Sequence, residues 1–159
     1  MDNFFTFMQF LKTNMEKKIE ILKFDYNNQD LFKQASNIRQ IVFCGEQKCP
    51  INEEFDGLDN IAIHYIIKLN GEYVATSRRR ETSEGIKLER FAVLKQHRGK
   101  SLASKILKYV LNDINDKSKL IYLNAQIDAM PLYTKFGFEK IGNQFVEANI
   151  LHYKMILKK

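Results

Sequence analysis

Residues 61–80 carry the pattern of a complete β-hairpin. Ile61, Ile63, Tyr65, Ile67 and Leu69 stand at every second position, the period of a strand with one apolar face. Asn70-Gly71 follows at once, the strongest short-range signal for a two-residue turn, and residues 72–80 run back. Ser83-Glu84-Gly85 makes a second turn, and residues 86–94 form a further strand. The period then changes. Leu102, Ala103, Ile106, Leu107, Val110, Leu111 and Ile114 fall on one face of a helix. A meander of strands that runs directly into an amphipathic helix makes the chain mixed α/β.

The flanking segments extend this order. Residues 19–24 read as a first strand. Leu31, Phe32, Ala35, Ile38, Val42 and Phe43 follow at helical spacing, with Asp30 as the expected N-cap. Residues 45–60 read as an acidic loop holding a short helix. After the long helix come a strand over 120–123 and a short helix over 130–136 closed by Gly137. Strands over 140–145 and 150–157 close the chain.

A length of 159 residues suits one domain, assigned to 19–159, behind an N-terminal extension over 1–18. The extension is rich in Phe but lacks the basic start and small-residue cleavage site of a signal peptide. No apolar run reaches the roughly 18 residues that span a bilayer. Cys44 and Cys49 are spaced for neither a redox pair nor a zinc knuckle, and no metal-ligand set accompanies them. Two free thiols and no membrane segment point to the cytoplasm.

The formal charge of +6 asks for an anionic partner. Its sharpest focus is the turn between the fourth strand and the long helix, His97-Arg98-Gly99-Lys100-Ser101. A basic, glycine-containing turn that opens a helix presents free N–H groups and the positive end of the helix dipole, which together suit phosphate. Gly99-Lys100-Ser101 imitates the end of a P-loop, but Leu94 stands where that motif needs its first glycine. On physics alone, phosphate binding and a plain solvated turn stand level. A nucleic-acid-binding module has little support, since no helix carries a dense basic stripe.

Arg98, Ser101 and Ala103 resemble the marked positions of the pyrophosphate loop of GNAT N-acetyltransferases, with serine in place of the middle glycine. Three further stretches resemble the ElaA-like bacterial subgroup of that superfamily. The first runs from Arg39 to Gln47 and on through Pro50, Glu53, Asp56, Asp59, Ala62 and His64. The second is Leu123-Asn124-Ala125-Gln126 with Ala129, Leu132, Tyr133, Gly137 and Phe138. The third is Phe145, Glu147, Ala148, Asn149, Ile150, His152 and Met155.

The resemblance implies a mostly antiparallel twisted sheet of about six to seven strands, flanked by helices, with acetyl-CoA held between strands four and five. It implies acetyl transfer from acetyl-CoA straight to a primary amine, with no metal and no covalent acyl-enzyme. Backbone at Phe91, Ala92 and Val93 would hold the pantetheine arm and the thioester carbonyl. Arg98, Gly99, Lys100, Ser101, Leu102 and Ala103 would take the pyrophosphate, and Asn124 would contact the pantetheine. Tyr133 would protonate the departing thiolate, an apt role for a phenol beside a sulfur leaving group. For the general base, Glu89 is the first candidate, on the expectation that it shares a strand face with Phe91 and Val93. Glu46 on the acceptor side is the second. His64 and His152 are candidates for substrate contact, and a water relay is the remaining option. A homodimer is suggested by analogy alone.

Two rivals accompany this reading: an amino-sugar phosphate acetyltransferase, prompted by Glu89 and the arginines, and a non-catalytic acyl-CoA-binding domain. Arg78-Arg79-Arg80 is the densest positive run. Alternation sends Arg79 to the face opposite Arg78 and Arg80, and the expectation is a solvated edge strand guarded by charge.

Overall fold

The computed structural model describes residues 18–158. The N-terminal extension expected over 1–18 therefore lies, except for Lys18, outside the described residues. The chain forms β1 (Ile19–Asp25), α1 (Gln29–Arg39), which runs on into the wider π-helical turns of Gln40–Glu46, and the single turn α2 (Ile51–Glu54). It continues with β2 (Ile63–Leu69), β3 (Glu72–Glu81), β4 (Ile86–Val93), α3 (Leu102–Asp113) and β5 (Ile121–Gln126). The short helix α4 (Met130–Lys135) and the hairpin β6 (Phe138–Glu147) and β7 (Ile150–Leu157) complete it.

The seven strands form one sheet in the order β1-β2-β3-β4-β5-β7-β6. Every pairing is antiparallel except β4 with β5, which α3 joins as a crossover. Helix α3 packs on one face: Ile106, Leu107 and Val110 bury against Tyr65, Ile67, Val74 and Leu88. Helix α1 covers the other, where Ala35, Ile38 and Val42 meet Phe24, Ile66, Ala92 and Leu94. The central strands are thus covered on both faces, which is why Ile66 is as buried as its alternating neighbours.

Three local expectations are corrected. Helix α1 is capped by Asn28, whose Oδ1 accepts the Leu31 N–H at 3.2 Å, and Asp30 lies inside the first turn. There its carboxylate still favours the positive helix end. Strand β2 begins at Ile63, because Asp59–Ile61 form a tight turn that leaves Ile61 exposed. Finally, Arg78, Arg79 and Arg80 lie on β3, which is paired on both sides. The expected solvated edge is instead a charged interior, because acidic loop residues fold down over it.

Candidate active site

The site begins with a fault in β4. Across β3 and β4, Thr76 pairs with Ala92 but Arg78 with Glu89, so Arg90 and Phe91 together face Ser77. Arg90 is the bulged residue, with φ 60°, in the left-handed region. The extra residue shifts the alternation by one. Leu88, Phe91 and Val93 point to the α3 side and Ala92 to the α1 side, so Glu89 does not share a face with Phe91 and Val93 as expected. The bulge also ends the parallel pairing. Register with β5 runs from Ile86↔Ile121 to Leu88↔Leu123 and stops there. Beyond it the two strands part, leaving backbone at 91–93 without a neighbour on the β5 side.

The parting opens a cleft of about 840 Å³. Phe91, Ala92 and Val93 form one wall, and Asn124 with Tyr133 forms the other. At one end lie Arg98, Gly99, Ser101, Leu102 and Ala103. Gly99 and Ser101 both have positive φ, 74° and 58°, and the chain turns through them into α3. The first intrahelical bond after that turn is from Lys105 N–H to Ser101 carbonyl at 3.0 Å. The N–H groups of Leu102, Ala103 and Ser104 precede it, on residues that line the cleft at the positive helix end. Arg98 is tied to β4 by its Nε, which donates to the Val93 carbonyl at 3.0 Å. Its two terminal nitrogens grip Glu46 at 2.9 and 3.0 Å. Glu46 therefore stands at the Arg98 end of the cleft, and the structure pairs it with Arg98 rather than leaving it free as a base. Lys100 does not line the cleft, and its Nζ lies 3.3 Å from His97 Nδ1.

Tyr133 sits in the opposite wall at 6% exposure, edge-on to Phe91 (5.9 Å) and Phe138 (6.1 Å). Burial pushes its phenol well above the usual tyrosine range, so the hydroxyl stays protonated. No group among the described residues hydrogen bonds it. His152 also lines the cleft, at 7% exposure, with Nδ1 2.8 Å from the Ile150 carbonyl and its ring stacked on Phe145. Glu147, at the tip of the β6–β7 hairpin, approaches His152 Nε2 to 4.0 Å and accepts from Asn124 Nδ2 at 3.5 Å. Sequence reasoning placed Glu147 in the closing stretch that resembles the family but gave it no role.

Glu89 reaches the cleft but is enclosed by cations. Arg78 Nε donates to it at 2.8 Å, Arg80 Nε at 3.0 Å, and Lys87 Nζ lies at 3.3 Å. Burial raises its carboxyl, but the Arg78 charge and the Arg80 hydrogen bond outweigh this and hold it below the ordinary range. Such a carboxylate is a weak proton acceptor. Arg78 also donates to Asp59 (2.8 Å) and Asp56 (2.8 Å), and Arg39 to Glu54 (2.6 Å) and Asp59 (2.7 Å). Glu54, Asp56 and Asp59 of the acidic loop are thus turned inward, which leaves Glu53 and the hairpin's Glu147 as the other loop and hairpin carboxylates lining the cleft. His64 is outside the cleft. It lies buried between Phe24 and Phe32, with Nε2 2.9 Å from the Asp59 carbonyl, where it props the loop.

Gln47 and Gln126 stand inside stretches that resemble the family, but sequence reasoning gave them no role and did not foresee their pairing. Gln126 Nε2 donates to Gln47 Oε1 at 2.8 Å, linking the segment after α1 to the end of β5 beside the cleft. Uncharged amides at 79 residues' separation leave no pattern to read. Among the described residues no group of three or more His, Cys, Asp or Glu is placed to hold a metal ion. No helix among them is long and apolar enough to cross a membrane.

Known proteins resemble this chain in sequence and fold. A family model described as acetyltransferase (GNAT) domain matches residues 49–159. A Bacillus subtilis (strain 168) protein named uncharacterized N-acetyltransferase YjcF is 34% identical over 131 residues, covering 81% of this chain and 94% of its own. Among solved structures, Escherichia coli ElaA superposes with a TM-score of 0.80 at 25% identity, over 87% of this chain and 99% of its own. An acyl-CoA N-acyltransferase from Pseudomonas aeruginosa gives 0.79 at 22% identity, over 89% and 100%, and bears on the fold alone.

Proposed function

Because the chain belongs to the GNAT acetyltransferase family and is an acyltransferase, we propose that it moves acetyl from acetyl-CoA directly to a primary amine. The observation that carries this reading is a single continuous surface. The β4 backbone at 91–93, paired with β3 but without a neighbour on the β5 side, leads to the residues at the start of α3 along one cleft wall. A pantetheine arm carries amides that can bond strand backbone, and it ends in a pyrophosphate that suits a helix N-terminus. The two requirements are met in that order along one cleft.

Each residue then has a task. Backbone N–H groups at 91–93 hold the arm and polarise the thioester carbonyl where negative charge develops. Arg98 and the N–H groups of Leu102 and Ala103 take the phosphates, with Arg98 exchanging Glu46 for the anion. Asn124 orients the arm from the opposite wall. The amine nitrogen attacks the carbonyl carbon, the C–S bond breaks, and Tyr133 gives its proton to the departing thiolate. A phenol kept protonated by burial and free of other partners is prepared for that step. The arginines that prompted an amino-sugar phosphate acceptor are engaged by carboxylates inside the protein, so a cationic amine is the better-supported acceptor.

Calorimetric titration with acetyl-CoA, followed by thiol release across a set of amines, tests the reading. Binding and thiol release are expected, and no binding of acetyl-CoA overturns it. Tyr133→Phe should lower kcat by about 100-fold while leaving acetyl-CoA affinity in place. Unchanged turnover would remove Tyr133 from the reaction.

A further inference from the structure

We infer that His152 is the general base of this reaction and that the gap between His152 and Glu147 receives the acceptor's amine. The inference rests on the reading of the cleft as an acetyltransferase site.

The hydrogen-bond chemistry of the closing hairpin leads there. His152 Nδ1 lies 2.8 Å from the Ile150 carbonyl oxygen, which can only accept. The proton of the neutral ring is therefore on Nδ1, and Nε2 presents a lone pair. The charged group nearest to Nε2 is Glu147, whose carboxylate also can only accept, and the two stand 4.0 Å apart. Two acceptors facing each other beyond hydrogen-bond reach lack a donor between them. An ammonium group supplies several N–H donors and a positive charge, and one nitrogen seated beside the pair, about 2.9 Å from each, bonds both across the 4.0 Å separation. Both residues line the cleft, as do Asn124 and Tyr133 on the adjoining wall.

The ring is held firmly. It is stacked on Phe145 of β6, and uncharged Gln126 of β5 stands opposite it in register. Among the described residues Glu147 is the charged side chain that faces it. The hairpin that carries both groups turns through Ala148 and Asn149, at φ 50° and 62°, a strained pair that sets the spacing of Glu147 from Ile150. The other candidates are engaged elsewhere: Glu89 by three cations, Glu46 by Arg98, and His64 by the Asp59 carbonyl.

In the reaction, Nε2 takes one proton from R–NH3+, leaving R–NH2 and an imidazolium beside the Glu147 carboxylate. The amine nitrogen bonds to the thioester carbon, and the C–S bond breaks as the thiolate takes the Tyr133 proton. The second nitrogen proton, lost as the amide forms, restores Tyr133, and the imidazolium releases its proton to solvent. One proton is released for each cationic amine acetylated.

Two experiments decide this. Nitrogen-15 NMR of the wild-type imidazoles, which needs no acceptor, should show His152 protonated at Nδ1 and bare at Nε2 when neutral. A ring protonated at Nε2 overturns the proposal. The second compares butylamine, cationic near neutral pH, with hydroxylamine, which is uncharged there and needs no base to release its lone pair. His152→Gln should lower kcat/KM for butylamine by about 100-fold and abolish the acid limb of its pH profile, while hydroxylamine turnover changes only a few-fold. Glu147→Gln should raise KM for butylamine more than it lowers kcat. Equal losses with both nucleophiles, or an acid limb that survives His152→Gln, would assign His152 a structural role and leave acetyl transfer itself standing. Absence of acetyl-CoA binding by the wild type would instead defeat the parent reading.

Discussion

Ser101 holds a left-handed backbone at the step where the chain turns into α3, and its hydroxyl caps nothing. Glycine would adopt this conformation freely, whereas a Cβ in this region costs roughly 1–2 kcal/mol. Glycine's extra freedom in the unfolded chain offsets part of that cost. Ser101→Gly should therefore stabilise the protein by about 0.5–1 kcal/mol, read as a higher urea midpoint at unchanged slope. A loss of stability would mean that the serine side chain makes a compensating contact. The same reasoning explains why Arg90 tolerates φ 60°: its guanidinium bonds the Glu54 carbonyl at 3.1 Å and Asp56 at 3.2 Å, which holds the bulge in place. A bulge anchored in this way is a feature of the fold rather than slack in it.

At the scale of elements, β3 and β4 meet the loop after α1 through a buried charge network. Arg78 is fully buried and bonds Asp56, Asp59 and Glu89 together, while Arg39 joins α1 to Glu54 and Asp59. Removing one partner of a buried ion pair strands the others in low dielectric. Arg78→Leu should cost about 3–5 kcal/mol, measured by urea unfolding, because three carboxylates lose one counter-ion. A cost under about 1 kcal/mol would show that the loop simply swings out to water. The network also accounts for the splayed strands. It fixes the β3 side of β4 where the bulge occurs, so the opening falls on the β5 side and becomes a cleft.

Across the whole molecule, the same carboxylates set the response to acid. In Asp56 and Asp59 burial raises the pKa, but hydrogen bonds and charge from Arg78 and Arg39 outweigh it, and both lie below the ordinary range, as does Glu89. A native pKa below the unfolded value of about 4 contributes stability above that pH and loses it as pH falls. Glu54 opposes this, since its desolvation exceeds the pull of Arg90 and Arg39 and its carboxyl is raised. Within this network, three depressed carboxylates against one raised one leave a net loss. The urea midpoint should fall between about pH 5 and about pH 3, and a flat profile would contradict the ion pairing. As for legibility, alternation at 61–69, the Asn70-Gly71 turn and the helical face of 102–114 set the order and type of the elements, because each is a local period of backbone geometry. The basic turn at 97–101 was visible as a contiguous stretch, whereas Tyr133 was picked out only by the family resemblance of the residues around it. What only the tertiary structure decided is the pairing of distant charges and the parity of β4. Arg78 meets Asp56, Asp59 and Glu89 across loops and strands, and one bulged residue moves Glu89 to the face opposite Phe91. Neither leaves a periodic trace, since an ion pair depends on where two segments meet in space and a bulge is defined by its partner strand.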